Sequence, residues 1–123
     1  MGTTQLTEQN FEEVVTSHDV VVIDFWAAWC GPCRSFAPIY ELVAERYPDV
    51  LFAKVDTEAE QSLAAAFNIM SIPTLLIMRE NVVLFNQAGA LPESALDELI
   101  QKVREIDMKE VHRLVLEQES VRS

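Results

Sequence analysis

Basic residues and long apolar runs are both scarce in this sequence. Its 123 residues include 9 Lys and Arg against 20 Asp and Glu, which gives a formal net charge of −11 at pH 7. A protein this acidic lacks the broad basic face that holds nucleic acid or an anionic membrane. The longest apolar runs, at residues 20–30 and 72–78, are too short to cross a bilayer. We therefore expect neither nucleic acid nor a membrane among the partners of this protein.

Glycine, proline and cysteine are also few. With 3 Gly and 5 Pro, the chain has no long flexible linker and no collagen-like stretch. Its 2 Cys cannot form the several disulfides that hold small secreted proteins together. The first residues, MGTTQLTEQNF, lack the basic and apolar regions of a secretory signal, so we expect a cytoplasmic protein. A chain of this length fits one domain, for which a monomer is the default expectation.

What the sequence does contain is an alternation of helical and strand patterns. A strand, a helix and a second strand in succession give a parallel pair, and a late hairpin at Glu80-Asn81 adds antiparallel strands. Asn81 is expected to take the left-handed conformation in that turn. The fold class is therefore α/β, with a central mixed sheet and helices on both of its faces. The predicted elements are helix 7–15, strand 20–26, helix 32–47, strand 51–55, helix 60–67, strands 74–79 and 82–87, and helix 93–106.

The last residues carry helix signals of their own. Thr7 is the candidate N-cap of the first helix, and Asp107 is the candidate cap of a last one, with Glu110 completing a capping box. We accordingly divide the chain into a domain at residues 1–106 and a C-terminal helical extension at residues 107–123. The extension either packs on the body as a short helix or serves as a docking element for a partner.

Cys30 and Cys33 follow a strongly apolar strand and begin a predicted helix. Residues three apart on a helix have Cβ atoms roughly 5–6 Å apart, which is compatible with forming and breaking a disulfide. Free N–H groups at a helix N-terminus stabilise a thiolate, so the pKa of Cys30 should be lowered. Gly31 would let a substrate backbone approach, and Pro32 would hold the first helical turn. A zinc site, or two inert thiols, remain the alternatives.

Asp24 interrupts the apolar strand that leads to the cysteines. It shares a face with Val22 and Trp26 and precedes Cys30 by six residues. Burial of a carboxyl group raises its pKa, which suits a proton donor or acceptor for the deeper thiol. The alternative is a solvated carboxylate at the end of the strand.

Taken together, these residues resemble the thioredoxin family. The resemblance covers roughly residues 4–106 and rests on several segments in the same order. They are residues 24–33 (DFWAAWCGPC), 37–38 (AP), 53–56 (AKVD), 72–75 (IPTL) and 88–90 (AGA).

The resemblance implies a thioredoxin fold and a role for each matched residue. Cys30 would be the attacking nucleophile and Cys33 the resolving thiol. Asp24 would be the buried acid/base, with Lys54 as its nearby charged partner. Pro73 would follow a cis peptide bond and face the cysteines. The surface on which substrates dock would consist of Trp29, Gly31, Pro32, Ile72, Pro73, Gly89 and Ala90.

The activity implied by the resemblance is thiol–disulfide exchange with disulfide-containing substrate proteins. The Cys30–Cys33 pair would be the redox centre. In this family a thioredoxin reductase returns the pair to the dithiol with electrons from NADPH, through the reductase's own flavin. This sequence has no Gly-rich dinucleotide motif, so we expect it to bind neither cofactor, and we expect no metal. Two other functions stay open, a protein disulfide oxidant or isomerase and a redox-dependent binding or scaffold subunit.

Overall fold

The computed structural model describes residues 2–122, with the backbone alone for the last two of them. None of its helices is long and apolar enough to cross a membrane within this described part of the chain. The strands are β1 (Thr3–Gln5), β2 (Val20–Trp26), β3 (Leu51–Asp56), β4 (Thr74–Arg79) and β5 (Val82–Ala88). The helices are α1 (Phe11–Thr16), α2 (Gly31–Arg46), α3 (Gln61–Ala66), α4 (Glu93–Glu105) and α5 (Met108–Arg122).

The five strands form one mixed sheet in the order β1-β3-β2-β4-β5. Strands β1, β3 and β2 are mutually parallel, whereas β4 is antiparallel to both β2 and β5. The central strand β2 is buried at residues 20–25 because both of its faces are apolar apart from Asp24. The α/β class and the mixed sheet predicted from the sequence are confirmed.

Helices cover both faces of the sheet. On one face α2 and α4 pack their apolar stripes against Val22 of β2, Phe52 of β3 and Ile77 of β4. On the other face α1 and α3 pack against the alternate residues of the same strands, among them Ile23 and Leu76. This two-sided packing follows from the side-chain alternation of strands whose two faces are both apolar.

Helix α2 is held to the centre of the sheet by a buried tyrosine. The hydroxyl oxygen of Tyr40 lies 3.0 Å from the carbonyl oxygen of Val22 and 2.7 Å from that of Ala53. Burial raises the pKa of Tyr40, so the hydroxyl keeps its proton and can donate it to these carbonyls. The contact sets the height of α2 above β2 and β3, and with it the position of the helix N-terminus.

Two parts of the N-terminal region differ from the sequence prediction. Strand β1 was not predicted, because three polar residues at a half-buried edge give no apolar alternation. Helix α1 begins at Phe11 with Asn10 as its N-cap, rather than at residue 7 with Thr7 as the cap. Thr7 instead closes the preceding turn, since the Thr7 N–H donates to Asn10 Oδ1 (2.7 Å) and the Asn10 N–H donates to Thr7 Oγ1 (3.2 Å).

The hairpin between β4 and β5 turns on two left-handed residues. Asn81 has φ +66°, as predicted, and Glu80 has φ +51°, which was not predicted. Two successive residues of positive φ match the right-handed twist of the adjoining strands. Asparagine tolerates this conformation well, whereas glutamate does so only where the surrounding strands require it.

Helix α5 is anchored at its first turn. Asp107 Oδ1 accepts the N–H groups of Lys109 (3.1 Å) and Glu110 (3.4 Å), as expected of a cap. Met108 is buried, but Leu114 is 51% exposed, so the apolar stripe of α5 contacts the body only near its beginning. His112 Nε2 lies 2.7 Å from Glu80 Oε1 and adds a polar contact with the hairpin.

Arg79 joins β4 to the end of α4. Its Nη1 donates to the carbonyl oxygens of Val103 (3.0 Å), Arg104 (3.1 Å) and Ile106 (3.0 Å), and its side chain is only 18% exposed. The guanidinium therefore satisfies carbonyl groups that a helix C-terminus leaves without a donor.

Replacing Arg79 should destabilise the fold. We expect Arg79→Met to lower the free energy of unfolding by about 2 kcal/mol, because several carbonyl groups lose a charged donor. Urea unfolding followed by circular dichroism measures this loss. The control is Lys102→Met, which removes a cation of α4 that is 70% exposed and should change stability by less than about 0.5 kcal/mol. Equal losses in the two variants would contradict a special role for Arg79.

Candidate active site

Cys30 and Cys33 lie where β2 leads into α2. Cys30 is the N-cap residue of α2, Cys33 lies in its first turn, and the two form a disulfide with their Cα atoms 5.2 Å apart. The backbone N–H of Cys33 donates to Cys30 Sγ at 3.2 Å. Both cysteines are almost fully buried. The backbone donor and the positive end of the helix dipole are placed to stabilise negative charge on the sulfur of Cys30 once the disulfide opens.

Three loops meet at the disulfide. Cys30 Sγ lies 3.8 Å from the carbonyl oxygen of Ile72, and the Ile72–Pro73 peptide bond is cis, as the resemblance implied. The Gly89 N–H donates to the carbonyl oxygen of Pro73 at 2.8 Å. Gly89 has φ +102°, a conformation that favours glycine. Residues 72–73 and the 88–90 loop are therefore held together beside the cysteines.

An apolar groove of about 400 Å³ opens next to the disulfide. It is lined by Trp29, which is 66% exposed, and by Ile72. The remaining residues that line it are Thr57, Ala64, Ile69, Met70 and Ser71. We call this surface the substrate groove, because it exposes apolar side chains close to the disulfide, where the family resemblance implies that substrates dock.

The substrate groove overlaps the predicted docking surface only in part. Of the seven predicted residues, only Trp29 and Ile72 line the groove. Gly31 and Pro32 lie at the start of α2, and Pro73, Gly89 and Ala90 belong to the neighbouring loops.

Met70 is a groove residue that the sequence analysis did not identify. It is 92% exposed, although a large apolar side chain is normally covered. Its position two residues before Ile72-Pro73 was the available signal, because it places the side chain on the same loop as the predicted docking residues.

Arg34 is another contributor that the sequence did not reveal. Its Nη1 donates to the carbonyl oxygen of Ala28 at 2.8 Å. This bond ties the first turn of α2 to the loop that carries Trp29. It therefore helps to fix the side of the substrate groove that Trp29 forms.

Asp24 lies in the buried part of β2, on the face that α2 covers. Its side chain is inaccessible to solvent, and neither carboxylate oxygen has a hydrogen-bond partner among the described residues. Burial raises the pKa of Asp24 from its ordinary value of 3.8 to about 6, although the charge of Lys54 opposes the rise. The expected burial is confirmed, and the alternative of a solvated carboxylate is wrong.

Lys54 is the neighbour of Asp24 on β3. The two residues are paired in the parallel register, yet they form no ion pair of contact distance within residues 2–122. The ammonium group of Lys54 lies 5.0 Å from the ring centroid of Trp26, which is a cation–π contact. Lys54 therefore acts on Asp24 through its field, from a position fixed by the tryptophan.

The described part of the chain contains no candidate metal site. No group of three His, Cys, Asp or Glu side chains lies close enough there to hold a metal ion. His112 contacts Glu80, and the two cysteines are joined to each other.

The raised pKa of Asp24 predicts how stability depends on pH. The folded chain holds this proton up to about pH 6, whereas the unfolded chain releases it near 3.8, so raising the pH between these values favours unfolding. We expect Asp24→Asn to gain stability relative to the natural protein by roughly 2 to 3 kcal/mol as the pH rises from 4 to 8. Urea unfolding of the disulfide form at both pH values measures this difference.

The matched control for this experiment is Glu45→Gln, an exposed acidic residue of α2. Its stability should follow that of the natural protein at both pH values. If the free energies of unfolding of Asp24→Asn and the natural protein differ by the same amount at pH 4 and at pH 8, the pKa of Asp24 is not raised in the folded chain.

Comparison with known proteins agrees with this geometry. The sequence model of the thioredoxin family matches residues 2–102. A Streptomyces coelicolor protein described as putative thioredoxin 2 is 55% identical over 119 residues, covering 97% of this chain and 89% of that protein. Thioredoxin from Bacillus subtilis is 40% identical over 103 residues, covering 83% of this chain and 98% of its own.

Solved structures give the same result. A mutant thioredoxin from Halobacterium salinarum superposes with a TM-score of 0.80 at 32% identity, covering 86% of this chain and 94% of that one. Spinach chloroplast thioredoxin f gives a TM-score of 0.78 at 37% identity, covering 85% and 95%. With its Cys30–Cys33 disulfide, the chain belongs to the thioredoxin family of thiol–disulfide oxidoreductases.

Proposed function

We propose that this protein reduces disulfide bonds in other proteins, with Cys30 as the attacking thiolate and Cys33 as the resolving thiol. The observation that carries the proposal is the position of Cys30. It is the N-cap of a 16-residue helix, bonded to Cys33, and beside an exposed apolar groove. A nucleophile, a second thiol to release it and a surface for the substrate are thereby brought together.

The first step is attack by the Cys30 thiolate on one sulfur of a substrate disulfide. The substrate S–S bond breaks, a mixed disulfide forms, and the second substrate sulfur leaves as a thiolate that takes up a proton. The Cys33 N–H, which donates to Cys30 Sγ in the oxidised chain, is available to stabilise the attacking thiolate. This support favours Cys30 over Cys33 as the nucleophile.

The second step is attack by Cys33 on the sulfur of Cys30. Cys33 must first lose its proton, and Asp24 is the acceptor that we assign to it. A carboxyl group with a pKa of about 6 is closer to a thiol in proton affinity than an ordinary carboxyl group is. Lys54 opposes the rise in the pKa of Asp24 and so helps to keep the carboxylate charged before the transfer. The products are the reduced substrate and the Cys30–Cys33 disulfide.

Substrates are held by the substrate groove together with the loops beside it. Trp29 and Ile72 supply apolar contact area, while Gly31, Pro32, Pro73, Gly89 and Ala90 allow the substrate backbone to approach the sulfurs. The exposure of Trp29 and the contact between Ile72 and Cys30 Sγ support this assignment.

A thioredoxin reductase is the partner that we propose for regenerating the dithiol, with NADPH as the electron source through the reductase's flavin. We further propose that the protein acts as a cytoplasmic monomer. Residues 1–106 would form the thioredoxin domain and residues 107–123 a helical extension, and of these ranges residues 1 and 123 lie outside the described residues. No observation favours an oxidant, an isomerase or a scaffold subunit over this function.

Single cysteine replacements test the two thiol roles. We expect Cys30→Ser to abolish the reduction of insulin by dithiothreitol, because no nucleophile remains at the N-cap. Cys33→Ser should instead accumulate mixed disulfides with substrates, because the resolving thiol is gone. Turnover is measured by insulin precipitation, and trapped complexes by non-reducing electrophoresis and mass spectrometry. Turnover by Cys30→Ser at the natural rate, or mixed disulfides that form through Cys33 in the natural protein, would contradict the assignment.

Asp24→Asn tests the proton acceptor separately. We expect this variant to form the mixed disulfide at the natural rate but to resolve it at least about tenfold more slowly at pH 7, because the acceptor is lost. Rapid mixing with a disulfide peptide, followed by acid quench, measures the two steps. Glu45→Gln serves as the control of equal charge change. If the resolving rate of Asp24→Asn equals that of the natural protein, Asp24 does not handle the proton of Cys33.

A further inference from the structure

Carboxylate side chains flank Thr57, a residue of the substrate groove, in the sequence. Strand β3 ends at Asp56, directly beside Trp26 in the sheet, and the turn that follows leads to α3. Thr57 of this turn lines the groove. Thr57 is flanked by Asp56 and Glu58 in the sequence, and Glu60 follows shortly after. We call these three acidic residues the acidic rim.

No carboxylate of the acidic rim has an ion-pair partner among the described residues. Asp56 Oδ1 accepts the N–H groups of Glu58 (2.9 Å) and Ala59 (3.4 Å), and Glu60 Oε1 accepts the N–H of Glu8 (2.9 Å). These bonds fix the turn but bring no cation to it. Glu58 is exposed and has no ion-pair partner among residues 2–122.

Two cations of the neighbouring elements, Lys54 and Arg34, have partners of their own. Lys54 is half-buried over the ring of Trp26, and Arg34 donates to the carbonyl oxygen of Ala28. The other walls of the groove carry no charge, since α3 reads QSLAAA and residues 69–72 read IMSI. A ligand in the groove therefore meets apolar side chains, with carboxylates that have no ion-pair partner among the described residues close to Thr57.

We infer that the substrate groove selects disulfide segments that place an apolar side chain against Met70 and Trp29 and a Lys or Arg side chain against the acidic rim. The preferred substrate proteins are then basic around their reactive disulfide. This inference rests on the proposed function, because it specifies the substrates of the same site. The apolar contact provides affinity shared by many substrates, and the rim discriminates among them by charge.

The local effect of the rim must be separated from the net charge of the whole chain, which is −11. Glu45 provides the matched control. It is exposed on α2 and lies with Pro48 and Val50 at the edge where β3 begins, opposite to the edge that carries the disulfide. Glu58→Lys and Glu45→Lys change the net charge equally, but only the first changes the rim.

The test compares two synthetic disulfide peptides that share a Leu beside the cystine and differ only in a flanking Lys or Glu. Second-order rate constants for their reduction by the dithiol form are measured at low and at high salt. We expect the natural protein to favour the Lys peptide by about two- to fivefold at low salt, as for an exposed ion pair, and less at high salt. Glu58→Lys should abolish this preference, whereas Glu45→Lys should keep it.

Met70→Gln supplies an independent arm of the same test. It should slow the reduction of both peptides to the same extent, because the apolar contact is common to them. The rate of alkylation of Cys30 against pH should be equal in the natural protein, Glu58→Lys and Glu45→Lys, which separates binding from a change in the thiol.

The outcomes distinguish this inference from the proposed function. Equal rates for the two peptides, or an equal loss of preference in Glu58→Lys and Glu45→Lys, would overturn the inference and leave the disulfide reductase assignment standing. Reduction of neither peptide by the natural protein would overturn both.

Discussion

The burial of β2 between two layers of helices determines where the reactive groups lie. Because the strand is covered on both faces, its one carboxyl group, Asp24, is removed from water, and its end delivers the chain to the N-terminus of α2. The hydroxyl of Tyr40 fixes α2 over β2 and β3, so the disulfide forms at a point set by the core rather than by a flexible loop. The neighbouring loops then need only supply the groove. The rigid end of the sheet thus positions the two cysteines, which lie in the turn beyond it.

The burial of Asp24 lowers the stability of the folded chain. Raising the pKa of Asp24 from 3.8 to about 6 costs roughly 3 kcal/mol at neutral pH, which is a large fraction of the roughly 5–15 kcal/mol that stabilises a typical domain. Lys54 offsets part of this cost from its position on Trp26, without contacting the carboxylate. An Asn or Leu side chain would pack at this position as well as a buried carboxyl group that has no hydrogen-bond partner. A buried carboxyl group of raised pKa is what the proposed role of Asp24, acceptor of the Cys33 proton, calls for.

The sequence predicted most of the fold because its strands and long helices have strong periodic patterns. Strand β2 and strand β4 have the predicted limits, since each is dominated by a run of apolar residues. Strand β1 could not be predicted, because its formation depends on a distant partner, β3, rather than on its own three polar residues. The burial of Asp24 followed from its apolar neighbours. The exposure of Met70 and the bond from Arg34 to Ala28 depend on how loops meet in space, which no local pattern encodes.

The two tryptophans occupy different environments on either side of the reactive turn. Trp29 is 66% exposed on the groove, whereas Trp26 is partly buried with the ammonium group of Lys54 over its ring. Indole emission moves to longer wavelength in water, so the two residues contribute to different parts of the fluorescence spectrum. A ligand that covers the groove changes the contribution of Trp29, while a change at the sulfurs also reaches Trp26, which packs against the cysteines. The two tryptophans are thus intrinsic fluorescent probes, Trp29 of the groove and Trp26 of the disulfide.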